Sequence, residues 1–298
     1  MSTNFTPELT VTPWEKHLEH LEQACRWAGI QQGRAREYIR LLREFWEEKR
    51  RGRQHLLAVY ESTEITQVYD LWKHRERDFP GLKENIARTL EKGPLISHDE
   101  LAGRHGGLSR NTLFVYVMAG HLLRGSVEVL CVDGVPRKGY ACRSAADLEL
   151  CWQEEVVNIE CKRPQKRETM SKEAGKGYKQ LLNADRGGRP GLVALDCSLF
   201  ARPVDTFLEK DDAPSAWASL PDKLEWLLGS LRVASGQPAP ILAGVLLHAS
   251  VPAMTRLGAS PILSRRKSVP SIPARSHFGL GGYREPGNLS AWPLQGDA

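Results

Sequence analysis

The stretch ADLELCWQEEVVNIECKRP, residues 146–164, reads as two strands around a short polar turn. Leu148, Leu150 and Trp152 alternate with the positions between them, and Val156, Val157 and Ile159 give the second run strand character. With a turn centred on Gln153 and Glu154, opposed residues have numbers of constant sum. Trp152 then faces Glu155 and, further out, Asp147 faces Glu160; a symmetric lengthening of the turn leaves this register unchanged. Opposed residues share a face with Cβ atoms about 5 Å apart, and period-two alternation adds Lys162 to that face. Two carboxylates and one ammonium thus converge at the end of a hairpin. Paired carboxylates repel unless a cation stands between them, and oxygen ligands of this kind suit Mg²⁺ or Mn²⁺. The same alternation also fits a solvated sheet face on which Asp147 and Glu160 form salt bridges with Lys162 or Arg143. Glu149, opposite Asn158 on the same face, is a reserve ligand.

Outward from this hairpin, helix and strand patterns succeed one another. PWEKHLEHLEQACRWAG follows Thr12 as N-cap and stops at Gly29, and GRAREYIRLLREFWEEKRRG spaces Tyr38, Leu41, Leu42 and Phe45 along one helical face. Shorter helical stretches follow near 64–75 and 81–92. SRNTLFVYVMAGHLLRG predicts a helix ending at Gly125, and SVEVLCVDG a strand closed by the Asp133-Gly134 turn. Beyond the hairpin come a helix, ETMSKEAGKGYKQLLNA, weakened by Gly175 and Gly177, and the strand GLVALDCS. A helix, PSAWASLPDKLEWLLGSLRV, and a strand, APILAGVLLHASV, follow. The expected fold is α/β, a mixed central sheet flanked by helices over 96–255, preceded by an all-helical region over 1–95. Residues 256–298, rich in Pro, Gly, Ser and Arg, read as a loop-rich or partly disordered extension.

Composition narrows the function. The 298 residues are 41% apolar, enough for a sizeable core, with no run approaching the roughly 18 apolar residues of a membrane span. The first 30 residues carry Glu8, Glu15, Glu19 and Glu22 and no signal-peptide pattern, so a cytoplasmic protein without membrane contact is expected. Six cysteines without a C-x-x-C pair read as reduced structural thiols and supply no zinc site. GxxxxGK[ST], GxGxxG and GxSxG signatures are absent. The net charge of +5 is unevenly spread: Cys161 to Arg189 carries nine Lys or Arg against three acids. Such a cluster suits a polyanion, because neutralising phosphates releases counterions.

An acid at the start of one strand, an apolar strand ending in Glu-x-Lys, and a following helix with basic residues and a glutamine resemble the PD-(D/E)XK, or restriction-endonuclease-like, nuclease superfamily. The matching residues are Asp147 in AADLEL, Glu160 and Lys162 in NIECKRP, and Gln180 in GYKQLL, and the resemblance covers about 108–250. It implies a Mg²⁺- or Mn²⁺-dependent nuclease acting on DNA ahead of RNA. Asp147, Glu160 and the backbone carbonyl of Cys161, with Glu149 in reserve, would bind the metal; Lys162 would orient or help deprotonate the attacking water. Arg163, Lys166, Arg167, Lys172, Lys176 and Lys179 are the expected nucleic-acid contacts, with Gln180 beside the catalytic set. The first helices are available for a protein partner, and a homodimer is left open.

One departure from the pattern is plain. Family members often carry an acid on the helix before the sheet, and RNTLFVYVMAGHLLRG has none; Val115 stands about where it is sought. A nuclease-like fold that binds nucleic acid or serves assembly without cutting is therefore the alternative. His121 on that helix reads as a packing residue, and Asp133 as a turn former rather than a ligand.

Overall fold

The computed structural model describes residues 8–48, 50, 52–92, 107–152, 154–164, 166–184, 189–198, 242–257, 260–268 and 271–273. In chain order these form β1 (Glu8–Pro13), α1 (Trp14–Ala28), α2 (Arg34–Trp46), α3 (Arg53–Trp72), α4 (Leu82–Glu91) and α5 (Gly107–Arg124). There follow β2 (Glu128–Val132), β3 (Val135–Pro136), β4 (Leu148–Trp152), β5 (Glu155–Lys162), α6 (Met170–Ala184) and β6 (Gly191–Asp196). Last among the described residues come β7 (Leu242–Leu257), β8 (Ser260–Ser268) and β9 (Ser271–Pro273). The architecture is mixed α/β, with strand order β1-β8-β7-β6-β5-β4-β2-β3 and β9 also against β7.

The hairpin has the register expected from its numbering. Trp152 opposes Glu155 and Leu148 opposes Ile159, with Glu154 in the left-handed turn conformation (φ 68°). Asp147 lies one residue before β4. On its other side β5 runs parallel to β6, and β6 runs parallel to β7, so β5 is where the sheet changes from antiparallel to parallel. Both edges of β5 are thus hydrogen-bonded, and α5 and α6 pack against it, which buries it.

α5 has no solvent-facing stripe over its middle: every residue from Leu113 to Ala119 is buried. It lies between the sheet and α3. Trp72 of α3 donates its indole N–H to the Tyr116 carbonyl at 2.9 Å. A Cβ on Gly120 would fall 2.6 Å from the Leu71 Cβ, so the two helices approach where only glycine fits. Burying side chains such as Phe114 and Tyr116 contributes about 1.5–3 kcal/mol each. One continuous apolar core runs from Trp14, Leu42 and Ile86 through Phe114 to Ile159 and Leu246. The first four helices are part of it.

Several expectations are corrected. The first region is not all-helical, because Glu8–Pro13 forms an edge strand antiparallel to β8. The segment after residue 256 contributes β8 and β9 to the sheet. Its sequence carries no apolar alternation, yet backbone pairing needs none. α3 is one helix of 20 residues, not a short stretch near 64–75. Cys131 and Cys142 form a disulfide with Cα atoms 5.7 Å apart, leaving Cys25, Cys151, Cys161 and Cys197 as free thiols. The expected helix at 214–233 lies outside the described residues. No helix among the described residues is long and apolar enough to cross a membrane.

Candidate functional site

Asp147, Glu160 and Lys162 meet where β4 begins and β5 ends. The Asp147 Oδ2 accepts the Cys161 backbone N–H at 2.7 Å, and its carbonyl accepts the Asp133 N–H at 2.8 Å. Lys162 Nζ donates to Glu160 Oε2 at 2.7 Å and to the Cys161 carbonyl at 3.1 Å, and lies 3.6 Å from Asp147 Oδ2. Three oxygens from three residues therefore gather around one positive charge. The ion pairs of a salt-bridged face are present, but the face is not solvated: Glu160 is 3% exposed and Lys162 9%.

Burial sets the electrostatics. The Glu160 carboxyl is pushed up to about 7 by burial and by the Asp147 carboxylate in hydrogen-bonding reach, against the pull of Lys162. Burial works against the Lys162 ammonium too, yet the charges of Asp147 and Glu160 outweigh it and hold its pKa above the ordinary lysine value. Lys162 is thus held as a cation by the two carboxylates.

Two carboxylates and a carbonyl are hard-oxygen donors of the kind Mg²⁺ and Mn²⁺ take, and they already converge on a cation. Among the described residues no group of three or more His, Cys, Asp or Glu side chains is arranged to hold a metal ion, and the Cys161 carbonyl is the further oxygen beside the two carboxylates. Asn111, one turn before the buried Val115 on α5, donates its Nδ2–H to that carbonyl at 3.0 Å. The sequence reading missed this residue: it looked for a carboxylate, and an amide one turn earlier carries no such signal. Asp133 is also close. Its Oδ2 accepts the Tyr116 hydroxyl at 3.0 Å, and burial, seconded by the Asp147 charge, raises its pKa despite that bond. His121 is buried and pairs with Gln67 of α3, in keeping with a packing role.

Other expected site residues stand elsewhere. Glu149 is not a reserve ligand, because its buried carboxylate is taken by the loop before β4. Oε1 accepts the Arg143 N–H at 2.7 Å, the Ser144 N–H at 2.6 Å and the Ser144 hydroxyl at 3.1 Å, and Oε2 accepts the Tyr140 hydroxyl at 3.0 Å. Arg163 is not a surface nucleic-acid contact either. Its side chain, 4% exposed, forms a two-pronged pair with Glu64 of α3 at 2.8 and 3.0 Å and an ion pair with Asp196 at 2.6 Å. Alternation explains this: residue 163 points opposite to residue 162, into the helices. Gln180 is exposed with Lys172, Lys176 and Lys179, away from the Met170, Ala174, Gly177 and Leu181 face by which α6 meets the sheet. It joins a polar stripe rather than the Asp147 cluster. Lys166 and Arg167, in the turn before α6, are exposed as well.

The glycines of α6 differ in kind. A Cβ on Gly177 would lie 3.0 Å from Val193 Cγ1 and 3.5 Å from Lys162 Cγ, whereas one on Gly175 would meet nothing within 4 Å. Gly177 lets the helix press on the stem of the lysine. Gly177→Val is expected to destabilise the fold by about 1–3 kcal/mol through overpacking, and Gly175→Ala to stabilise it by about 0.5–1 kcal/mol through helix propensity. Urea denaturation of the two variants checks the contrast; equal shifts would show that α6 is not pressed against Lys162.

Comparison of the chain with family models, curated proteins and solved structures returned no match.

Proposed function

We propose that this chain is a Mg²⁺- or Mn²⁺-dependent nuclease of the restriction-endonuclease-like kind, hydrolysing phosphodiester bonds of DNA. The observation that carries the reading is the convergence of Asp147 Oδ2, Glu160 Oε2 and the Cys161 carbonyl on the Lys162 ammonium. Asp147, Glu160 and the Cys161 carbonyl would hold the divalent cation, which supplies Lewis-acid stabilisation of phosphate charge and a more acidic bound water. Asn111 keeps the Cys161 carbonyl in place through its amide. With its raised pKa, Lys162 stays charged at neutral pH, so its part is to donate hydrogen bonds and positive charge to the water or a phosphate oxygen. The exposed Lys172, Lys176 and Lys179, with Lys166 and Arg167 nearby, offer a backbone-binding stripe whose affinity falls as salt rises.

A specific observation favours a second reading, a nuclease-like module that binds without cutting: Lys162 already pairs with both carboxylates, and α5 offers the buried Val115 where an acid is sought. One experiment separates the two. Supercoiled, linear and single-stranded DNA and RNA are incubated with the protein in Mg²⁺ or Mn²⁺, beside Asp147→Asn and Lys162→Ala. Metal-dependent cleavage that drops about 100-fold or more in both variants is expected. Salt-sensitive DNA binding without cleavage, and without Mg²⁺ uptake by calorimetry, would replace the first reading by the second.

A further inference from the structure

The segment between β3 and β4 is irregular, yet it delivers Asp147 to the carboxylate pair. Beside the backbone bonds of Arg137 and Lys138, two fasteners hold it close to Asp147. One is polar: the buried Glu149 carboxylate, gripping Tyr140, Arg143 and Ser144 as described, with the Ser144 hydroxyl oxygen also 3.1 Å from Asn158 Oδ1. The other is covalent: the disulfide from Cys131 on β2 to Cys142, five residues before Asp147. Cys131 also stands opposite Glu149 in the β2–β4 register, so both fasteners act on the same short piece of chain. Cys131 is buried, while Cys142 is only half-buried and is the more accessible of the two residues.

We propose that the Cys131–Cys142 disulfide is a redox-sensitive fastener of the loop that presents Asp147, so that reduction by a dithiol weakens divalent-cation binding at the neighbouring centre. This rests on the metal-dependent reading above. The chemistry is ordinary thiol–disulfide exchange. A thiolate of the dithiol bonds to Cys142 Sγ, the S–S bond breaks, and its electron pair leaves on Cys131 Sγ, which takes up a proton. The second thiol of the reductant then displaces Cys142 as a thiol. The protein gains two electrons and two protons, and the reductant becomes its own cyclic disulfide. After reduction the Glu149 contacts and the backbone bonds of Arg137 and Lys138 still hold the loop, but its covalent tie is gone. The Asp147 carboxylate, anchored by the Cys161 N–H and by Asp133, then samples a wider range of positions. Loosening groups that orient a metal ligand typically weakens metal affinity about 10- to 100-fold.

The test compares the protein purified under air, the same protein reduced with dithiothreitol and freed of reductant, and the Cys131→Ser/Cys142→Ser variant. Two quantities are read: Mg²⁺ affinity by calorimetry, and hydrogen exchange at the amides of Arg143, Ser144 and Cys161. Reduction is expected to weaken Mg²⁺ binding about tenfold or more and to speed exchange at these amides, both reversed by reoxidation. The double variant should behave like the reduced protein and ignore dithiothreitol, which excludes the other four thiols as the cause. Unchanged exchange and affinity on reduction would overturn the proposal, as would six free thiols in the air-purified protein. Faster exchange with no Mg²⁺ binding in either state would overturn the metal-dependent reading, and with it control of metal binding, while the redox response of the loop would stand.

Discussion

Replacing Arg163 by methionine is expected to cost about 3–5 kcal/mol of folding stability, the range for removing one partner of a buried ion pair. The guanidinium lies among Glu64, Asp196 and the charge of Glu61, and its pKa is raised because these carboxylates outweigh the cost of its burial. Asp196 is likewise held ionised. Burial opposes this, but Arg163, His248 and the Ser198 hydroxyl keep its carboxyl well below the usual carboxylate range. A methionine fills much of the volume but leaves Glu64 and Asp196 buried without their guanidinium. Arg163→Lys should recover only part of the loss, since a single ammonium cannot reproduce the planar two-pronged pair with Glu64. The pH dependence has a definite sign. Asp196 has a lower pKa folded than unfolded, so its contribution is full above about pH 4 and fades as pH falls further. The gap between wild type and Arg163→Met should therefore be widest near neutral pH and shrink in acid. Urea titrations from pH 3 to 8 measure it; a gap below about 1 kcal/mol at pH 7 would mean that the cluster is solvated.

The same residue shows what could be read in the chain and what could not. The β4–β5 hairpin was legible because two physical regularities coincide there, apolar alternation and the constant sum of opposed residue numbers. Asp147, Glu160 and Lys162 follow from these without any tertiary information. Arg163 does not: beside Lys162 and Pro164 it reads as one more basic residue of a DNA-binding run. Only the position of α3 behind the strand turns it inward. α3 itself was obscured because its buried side chains include Glu61, Ser62, Thr63, Glu64, Thr66 and Gln67. An apolar period cannot reveal a helix that buries polar groups against a charged partner. β1 and β8 were missed for a related reason, as strand pairing uses backbone groups that every residue has. Asn111 escaped because the bond that matters runs from its amide to a main-chain carbonyl 50 residues away.

In metal-free buffer, the stability of the wild type relative to Glu160→Gln is expected to fall by about 3 kcal/mol as pH rises from about 4.5 to about 7. Unfolded, the glutamate ionises near 4.5; folded, it keeps its proton until about 7. Between those values the native state binds more protons than the unfolded state, so stability drops with pH, and above 7 the full penalty of the buried Glu160 carboxylate beside the half-buried Asp147 is present. The glutamine cannot ionise and lacks this slope. A divalent cation between Asp147 and Glu160 would favour the ionised form and cancel the penalty. Mg²⁺ binding at pH 6 should therefore release close to one proton, and at pH 8 almost none. Calorimetry in buffers of different ionisation enthalpy counts those protons. A wild-type slope equal to that of Glu160→Gln would mean that the two carboxylates do not share a site. A slope that Mg²⁺ leaves unchanged would mean that the pair exists but that Lys162, not a metal, is its permanent counterion.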